Sequence, residues 1–122
     1  MPRGQLTYRR GEIWWVRLDP AVGSEPAKTR PCAILQNDRG NQEGSTTIVA
    51  PFFPGFKPYP FVVNVPPTKS NQLDRDRHLN LSNLRVVDAV QIVNRLGVLE
   101  LKYWPDIQKA VMIQLGFSSV FE

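Results

Sequence analysis

The sequence predicts a mainly β fold, a small antiparallel barrel followed by one C-terminal α-helix. Short runs of branched and aromatic residues recur along the chain, each ended by glycine, proline, asparagine or aspartate, which is the pattern of consecutive short strands. Eleven prolines are spread over the 122 residues and disfavour any long helix before the tail. Helical spacing of apolar residues is confined to the last 18 residues, and the strand and helix alternation of a parallel sheet is missing.

The first strand is expected over residues 12–18, where EIWWVRL combines aromatic and branched side chains and stops at Asp19-Pro20. Trp14 and Trp15 alternate there, so one faces the core and the other an interface. Residues 21–29 hold Gly23, Ser24 and Pro26 without apolar periodicity and read as an exposed loop. A second strand over 30–36 carries Cys32 as a small buried residue. Asn37, Asp38, Gly40 and Asn41 then supply turn chemistry, and a third strand spans 46–51. Residues 52–60, FFPGFKPYP, hold three prolines, one glycine and four aromatics; this is too broken for a central strand and reads as a semi-rigid aromatic loop. Further strands are expected over 61–65, 83–88 and 97–101, with polar connections at 66–73 and 74–77. In the tail, Pro105 suits a first helical turn, Ile107, Val111 and Leu115 form a packing face with Ala110 beside it, and Gly116 suits the position past the helix end.

At 122 residues and 13.9 kDa the chain is expected to form a single domain, residues 1–122. Fifteen Lys and Arg against eleven Asp and Glu leave a net charge of +4, which permits a polyanionic partner without requiring one. One cysteine excludes an internal disulfide and a multi-cysteine zinc site, and one histidine argues against a histidine-built metal site. No metal and no cofactor are expected. No apolar run reaches the roughly 18 residues a membrane span needs, and the N-terminus lacks the apolar stretch of a secretory signal. The expected location is the cytoplasm, with no membrane partner.

Glycine-rich phosphate loops, paired histidines and a serine elbow are all missing. What remains is a loop with an arginine at its end, Gly23-Ser24-Glu25 followed by Thr29-Arg30-Pro31. Pro31 restricts Arg30 to an extended backbone, and a guanidinium fixed at a strand entrance can offer several donors to a phosphate. From spacing alone, a surface pairing of Arg30 with Glu25 or Asp38 is the plainer reading.

The run Arg10-Gly11-Glu12-Ile13-Trp14-Trp15-Val16, then Asp19-Pro20, Gly23-Ser24-Glu25, Thr29-Arg30-Pro31, Leu35-Gln36-Asn37-Asp38 and Gly40-Asn41, resembles the MazF/PemK family of toxins from toxin-antitoxin pairs. The likeness continues through Thr47-Ile48-Val49-Ala50-Pro51, Tyr59-Pro60-Phe61, Asn83-Leu84-Arg85-Val86-Val87-Asp88 and Leu115-Gly116. It implies an SH3-like barrel with a C-terminal helix, a homodimer, and metal-independent cleavage of single-stranded RNA at short motifs. It also implies a cognate, MazE-like antitoxin whose acidic tail covers the RNA groove. Arg30 matches the family's catalytic arginine. In such cleavage the adjacent 2′-hydroxyl attacks phosphorus, and a guanidinium stabilises the charge that grows there; a guanidinium holds its proton and is a poor base.

One position departs from the family. The usual threonine partner falls, by ungapped counting, on Phe53, which has no hydroxyl. Ser24, Thr46, Thr47 or Ser82 could substitute, or the reaction could proceed with arginine and water. Phe53 could instead stack on an unpaired base, with Phe56 and Lys57 extending that platform at a loop tip flanked by Gly55 and Pro58; Phe52 and Phe61 read as packing residues. Arg85 matches a basic position beside the family's RNA groove, and alternation would place Asn83 on the same face, with Leu84 and Val86 on the other. Ser24 and Glu25 complete the expected substrate contacts. His78, in a polar stretch, is expected to be solvated; a role as proton donor is the alternative. The competing functional reading is a non-catalytic module of the same fold, which binds RNA or inhibits a protein target such as DNA gyrase.

Overall fold

The computed structural model describes residues 7–18 and 28–118. Along the chain these form β1 (Glu12–Leu18), β2 (Lys28–Ile34), α1 (Asp38–Glu43), β3 (Thr46–Pro54), β4 (Val62–Val65), β5 (Arg77–Asn80), β6 (Arg85–Asp88), β7 (Ile92–Val98) and α2 (Trp104–Gln114). Short 3₁₀ turns at Leu81–Asn83, Ala89–Gln91 and Leu101–Tyr103 join the later elements.

All strand pairs are antiparallel and run in the order β4-β5-β3-β2-β1-β7, with β6 also on β3. The nine residues of β3 organise this sheet. One edge pairs with β2 over Val49–Pro51, while the other pairs with β6 over Thr46–Val49 and with β5 over Phe52–Pro54. β4 and β7 end the path without pairing to each other, so the sheet is barrel-like and open.

Each face of the sheet buries its own apolar cluster. Ile13, Ala33, Ala50, Phe52 and Leu79 pack on one side beneath Ile107 and Ala110 of α2. Trp14, Val16, Cys32, Ile34, Val49 and Val87 pack on the other, with Ala89 and Ile92. Residues of β1 to β3 therefore meet apolar neighbours on both faces, which explains their nearly unbroken hydrophobic sequence. Each fully buried Val, Leu, Ile or Phe stabilises the fold by roughly 1.5–3 kcal/mol.

The first strand and the terminal helix lie where the sequence places them, and Gly116 takes the left-handed φ of +82° past the helix end. Other boundaries differ. β2 begins two residues before the expected start at residue 30. β3 extends through Phe52 and Phe53 to Pro54, because proline at a strand end costs no central ladder bond. Asn37 caps Gly40 N–H, so the expected turn is the six-residue α1; its buried Asn41 accepts from Thr47 Oγ1 at 2.6 Å.

β5 was hidden by its polar sequence, RHLN. Arg77 is buried there because Asp74 accepts from its guanidinium at 2.8 Å and 3.3 Å. β7 runs earlier than the expected 97–101. Within it, a Cβ on Gly97 would lie 2.5 Å from Asn71 O, so that loop can approach only a glycine. Leu115 is 55% exposed, and Ile113 takes the buried place expected of it.

Candidate functional site

At the second-cluster edge of the sheet, the ladder sets Asn64, His78 and Phe53 side by side on β4, β5 and β3. Directly opposed residues share a face of an antiparallel sheet. Arg30, on the other flank of Phe53, lies opposite Val16 in β1 and carries its Cζ 4.5 Å from the centre of the Phe53 ring. Phe53 thus stands between the guanidinium and the imidazole, whose ring centre is 5.8 Å from its own at a tilt of 30°.

Arg30 is half-buried, and no described carboxylate pairs with it. Asp38, one of its two anticipated partners, instead accepts from Arg10 N–H and Asn41. Glu25 and Ser24 lie outside the described residues, as does the Asp19-Pro20 turn. The Phe53 ring supports the guanidinium from one side, and the guanidinium N–H groups have no acceptor among the described residues.

Cys32 follows two residues along β2 and is fully buried. Burial pushes its thiol pKa up to about 12, against the opposing pull of Arg85 and Arg30. Two guanidiniums therefore act on one spot. Arg85 is half-buried opposite Val49, on the face of Val87. Val86 is 61% exposed and faces away from Arg85, as the expected alternation has it. Asn83 does not share Arg85's strand; it lies exposed in a 3₁₀ turn and accepts from Ser82 at 3.1 Å.

His78 is the main correction. It is 5% exposed rather than solvated, and its Nδ1 lies 2.8 Å from Gly55 O. Its Nε2 has no hydrogen-bond partner among the described residues. Its direction follows from the strand pairing: with Leu79 turned into the first cluster, alternation along β5 sends His78 to the face of Phe53.

None of the described hydroxyls proposed to replace the family threonine contacts Phe53. Thr47 is buried and committed to Asn41. Thr46 lies seven residues back along the strand, about 23 Å away at about 3.3 Å per residue. Ser82 Oγ is 2.5 Å from Asn80 Oδ1, and Ser24 lies outside the described residues. Phe56 and Lys57 are exposed, in a loop that turns at Gly55 with φ +83°. Asn64 clamps this loop, accepting from Lys57 N–H and donating to Lys57 O, both at 3.0 Å. Phe52 is buried, and Phe61 stacks on Tyr59 with ring centres 5.3 Å apart.

A separate apolar cavity of about 560 Å³ lies beside α2, lined by Leu35, Ile48, Trp104, Val111 and Leu115. Arg10 stacks at its rim, 3.8 Å from the Trp104 ring centre. It shares no residue with the Arg30 cluster. No described helix is long and apolar enough to cross a membrane.

Comparison with known proteins finds a match over residues 9–115 to the model of the PemK-like, MazF-like toxin of type II toxin-antitoxin systems. The chain is 32% identical over 113 residues to the endoribonuclease MazF of Staphylococcus saprophyticus, covering 92% of this chain and 94% of that protein. Among solved structures it is similar to a mycobacterial endoribonuclease in complex with its cognate antitoxin, with a TM-score of 0.73, 18% identity and coverage of 92% and 98% of the two chains. A MazE-MazF complex from Deinococcus radiodurans gives a TM-score of 0.71 at 19% identity, covering 93% of this chain and 100% of the other.

Proposed function

The chain belongs to the PemK-like, MazF-like toxins of type II toxin-antitoxin systems, and from that premise we propose that it is a sequence-specific, metal-independent endoribonuclease acting on single-stranded RNA. The scissile ribose supplies the nucleophile. Its 2′-hydroxyl attacks the adjacent phosphorus, the 5′-oxygen leaves, and a 2′,3′-cyclic phosphate remains. Arg30 is the catalytic residue, with its N–H donors directed at the phosphate oxygens on which negative charge accumulates. Arg85 adds a second cation on the same face, and the exposed Phe56 and Lys57 offer a ring and a charge to neighbouring nucleotides. Ser24 and Glu25 are proposed as substrate contacts from the resemblance at Gly23-Ser24-Glu25, and Asn83 from its exposed place in the turn before β6.

The observation that carries this reading is a half-buried arginine, stacked on Phe53 and unpaired with any described carboxylate, at the position matching the family's catalytic arginine. The protein is further proposed to act in the cytoplasm as a homodimer silenced by a cognate antitoxin. Val86, Val90 and Val93, exposed by 61%, 87% and 50%, support a partner surface on β6, β7 and the 3₁₀ turn between them.

Incubation of the purified protein with mixed-sequence single-stranded RNA in the presence of chelator tests the reading. A few fixed cuts with 2′,3′-cyclic phosphate ends are expected. RNA that is bound and left intact would instead establish the non-catalytic module, and cutting that stops in chelator would refute metal independence.

A further inference from the structure

The cleavage reaction must move two protons, and Arg30 can move neither at neutral pH. We propose that His78 is the general base of the site; this deepens the endoribonuclease reading and rests on it. Four observations converge on this residue. It is the sole histidine of the chain. It is buried although its strand partner Asn64 is exposed. Gly55 O fixes Nδ1 as the protonated nitrogen of the neutral ring, which leaves the Nε2 lone pair without a described partner. The imidazole and the Arg30 guanidinium flank one phenyl ring, at 5.8 Å and 4.5 Å from its centre.

The family's hydroxyl position is thus filled by a spacer, Phe53, and the proton carrier stands one strand further on. In the proposed step Nε2 takes the 2′-hydroxyl proton as O2′ bonds to phosphorus and the phosphorus to O5′ bond breaks. Water protonates O5′, and the resulting hydroxide takes the proton back from the imidazolium, so the ring is regenerated and no water is consumed. The charged groups around His78 are Arg30 beyond Phe53 on β2, Asp76 and Arg77 beside it in the chain, and Lys57 in the clamped loop; β4 contributes only the uncharged Asn64.

His78→Gln provides the test, since a glutamine amide can still donate to Gly55 O but cannot act as a base. Single-turnover cleavage by the full-length variant is expected to fall at least about 100-fold, with RNA affinity within about threefold of wild type and an unchanged circular dichroism spectrum. Wild type should show a rate that rises with pH along an acid limb, and the variant should lack that limb. His78→Ala, in which the loop bond is lost as well, should weaken RNA binding in addition. Cleavage by His78→Gln at the wild-type rate, or with the same acid limb, would overturn the assignment while leaving the endoribonuclease reading intact. If His78→Gln fails to fold, the wild-type profile decides alone: a pH-independent acid side overturns the proposal. A wild type that does not cut RNA would instead defeat the underlying reading.

Discussion

Arg30 owes its orientation to two neighbours of different kinds. Pro31 fixes an extended backbone, and the Phe53 ring supplies a flat surface 4.5 Å from the guanidinium carbon. A cation over an aromatic face is worth about 0.5–1 kcal/mol at a partly exposed site. Phe53→Leu, which keeps an apolar side chain and removes the ring, should lower the cleavage rate about two- to fivefold without changing the cut sites. Loss of all activity would mean that Phe53 does more than hold Arg30. Cys32 offers a second measurement at this scale. Its thiol, pushed up to about 12 by burial, stays protonated at neutral pH, and the thiolate is the reactive form. Alkylation by iodoacetamide should therefore be very slow in the native protein and complete in denaturant. Rapid native labelling would contradict the burial assigned to β2.

Among the elements, β5 links polar sequence to site geometry. It is held at its start by Asp74, whose carboxyl is lowered from 3.8 to about 2 chiefly by hydrogen bonds from Arg77, against a smaller opposing effect of burial. Because the folded value lies below the ordinary one, the stabilisation is present above about pH 4 and is lost as pH falls towards about 2. Asp74→Asn should therefore lower the melting temperature modestly at pH 7 and converge with wild type near pH 2; a difference that persists there would refute the ion-pair account. The same strand shows where sequence reading stops. β1 and β4 were legible as short runs of branched and aromatic residues, and α2 by its helical apolar period. β5 was not, since the burial of Arg77 and His78 depends on Asp74 and Gly55 O, partners that no periodicity reveals. β7 was misplaced because its outward residues are valine, asparagine and arginine; its inner registration depends on Gly97 passing 2.5 Å from Asn71 O in the imagined alanine. Gly97→Ala should cost about 1–3 kcal/mol by crowding this backbone contact, read as a lower denaturation midpoint. No change would mean that the loop yields freely.

For the molecule as a whole, the family and the strand-plus-helix architecture were legible because ordered motifs run through nearly the entire chain. Arg30 could be singled out as a candidate from the sequence, since its neighbours Thr29 and Pro31 mark it. The arginine, phenyl and imidazole row could not be, because it needs the pairing of β3 with β5 to bring His78 beside Phe53. Assembly belongs to this scale too. With Val86, Val90 and Val93 exposed by 61%, 87% and 50%, the proposed homodimer predicts that wild type sediments as a dimer and Val90→Asp as a monomer in analytical ultracentrifugation; an unchanged dimer in the variant would place the interface elsewhere. The most direct measurement is the single-turnover cleavage rate of Arg30→Ala on an RNA it still binds. A loss of about 100- to 1000-fold at near-constant affinity is predicted, the range seen when one donor to a developing oxyanion is removed. A rate equal to that of wild type would contradict the role assigned to Arg30.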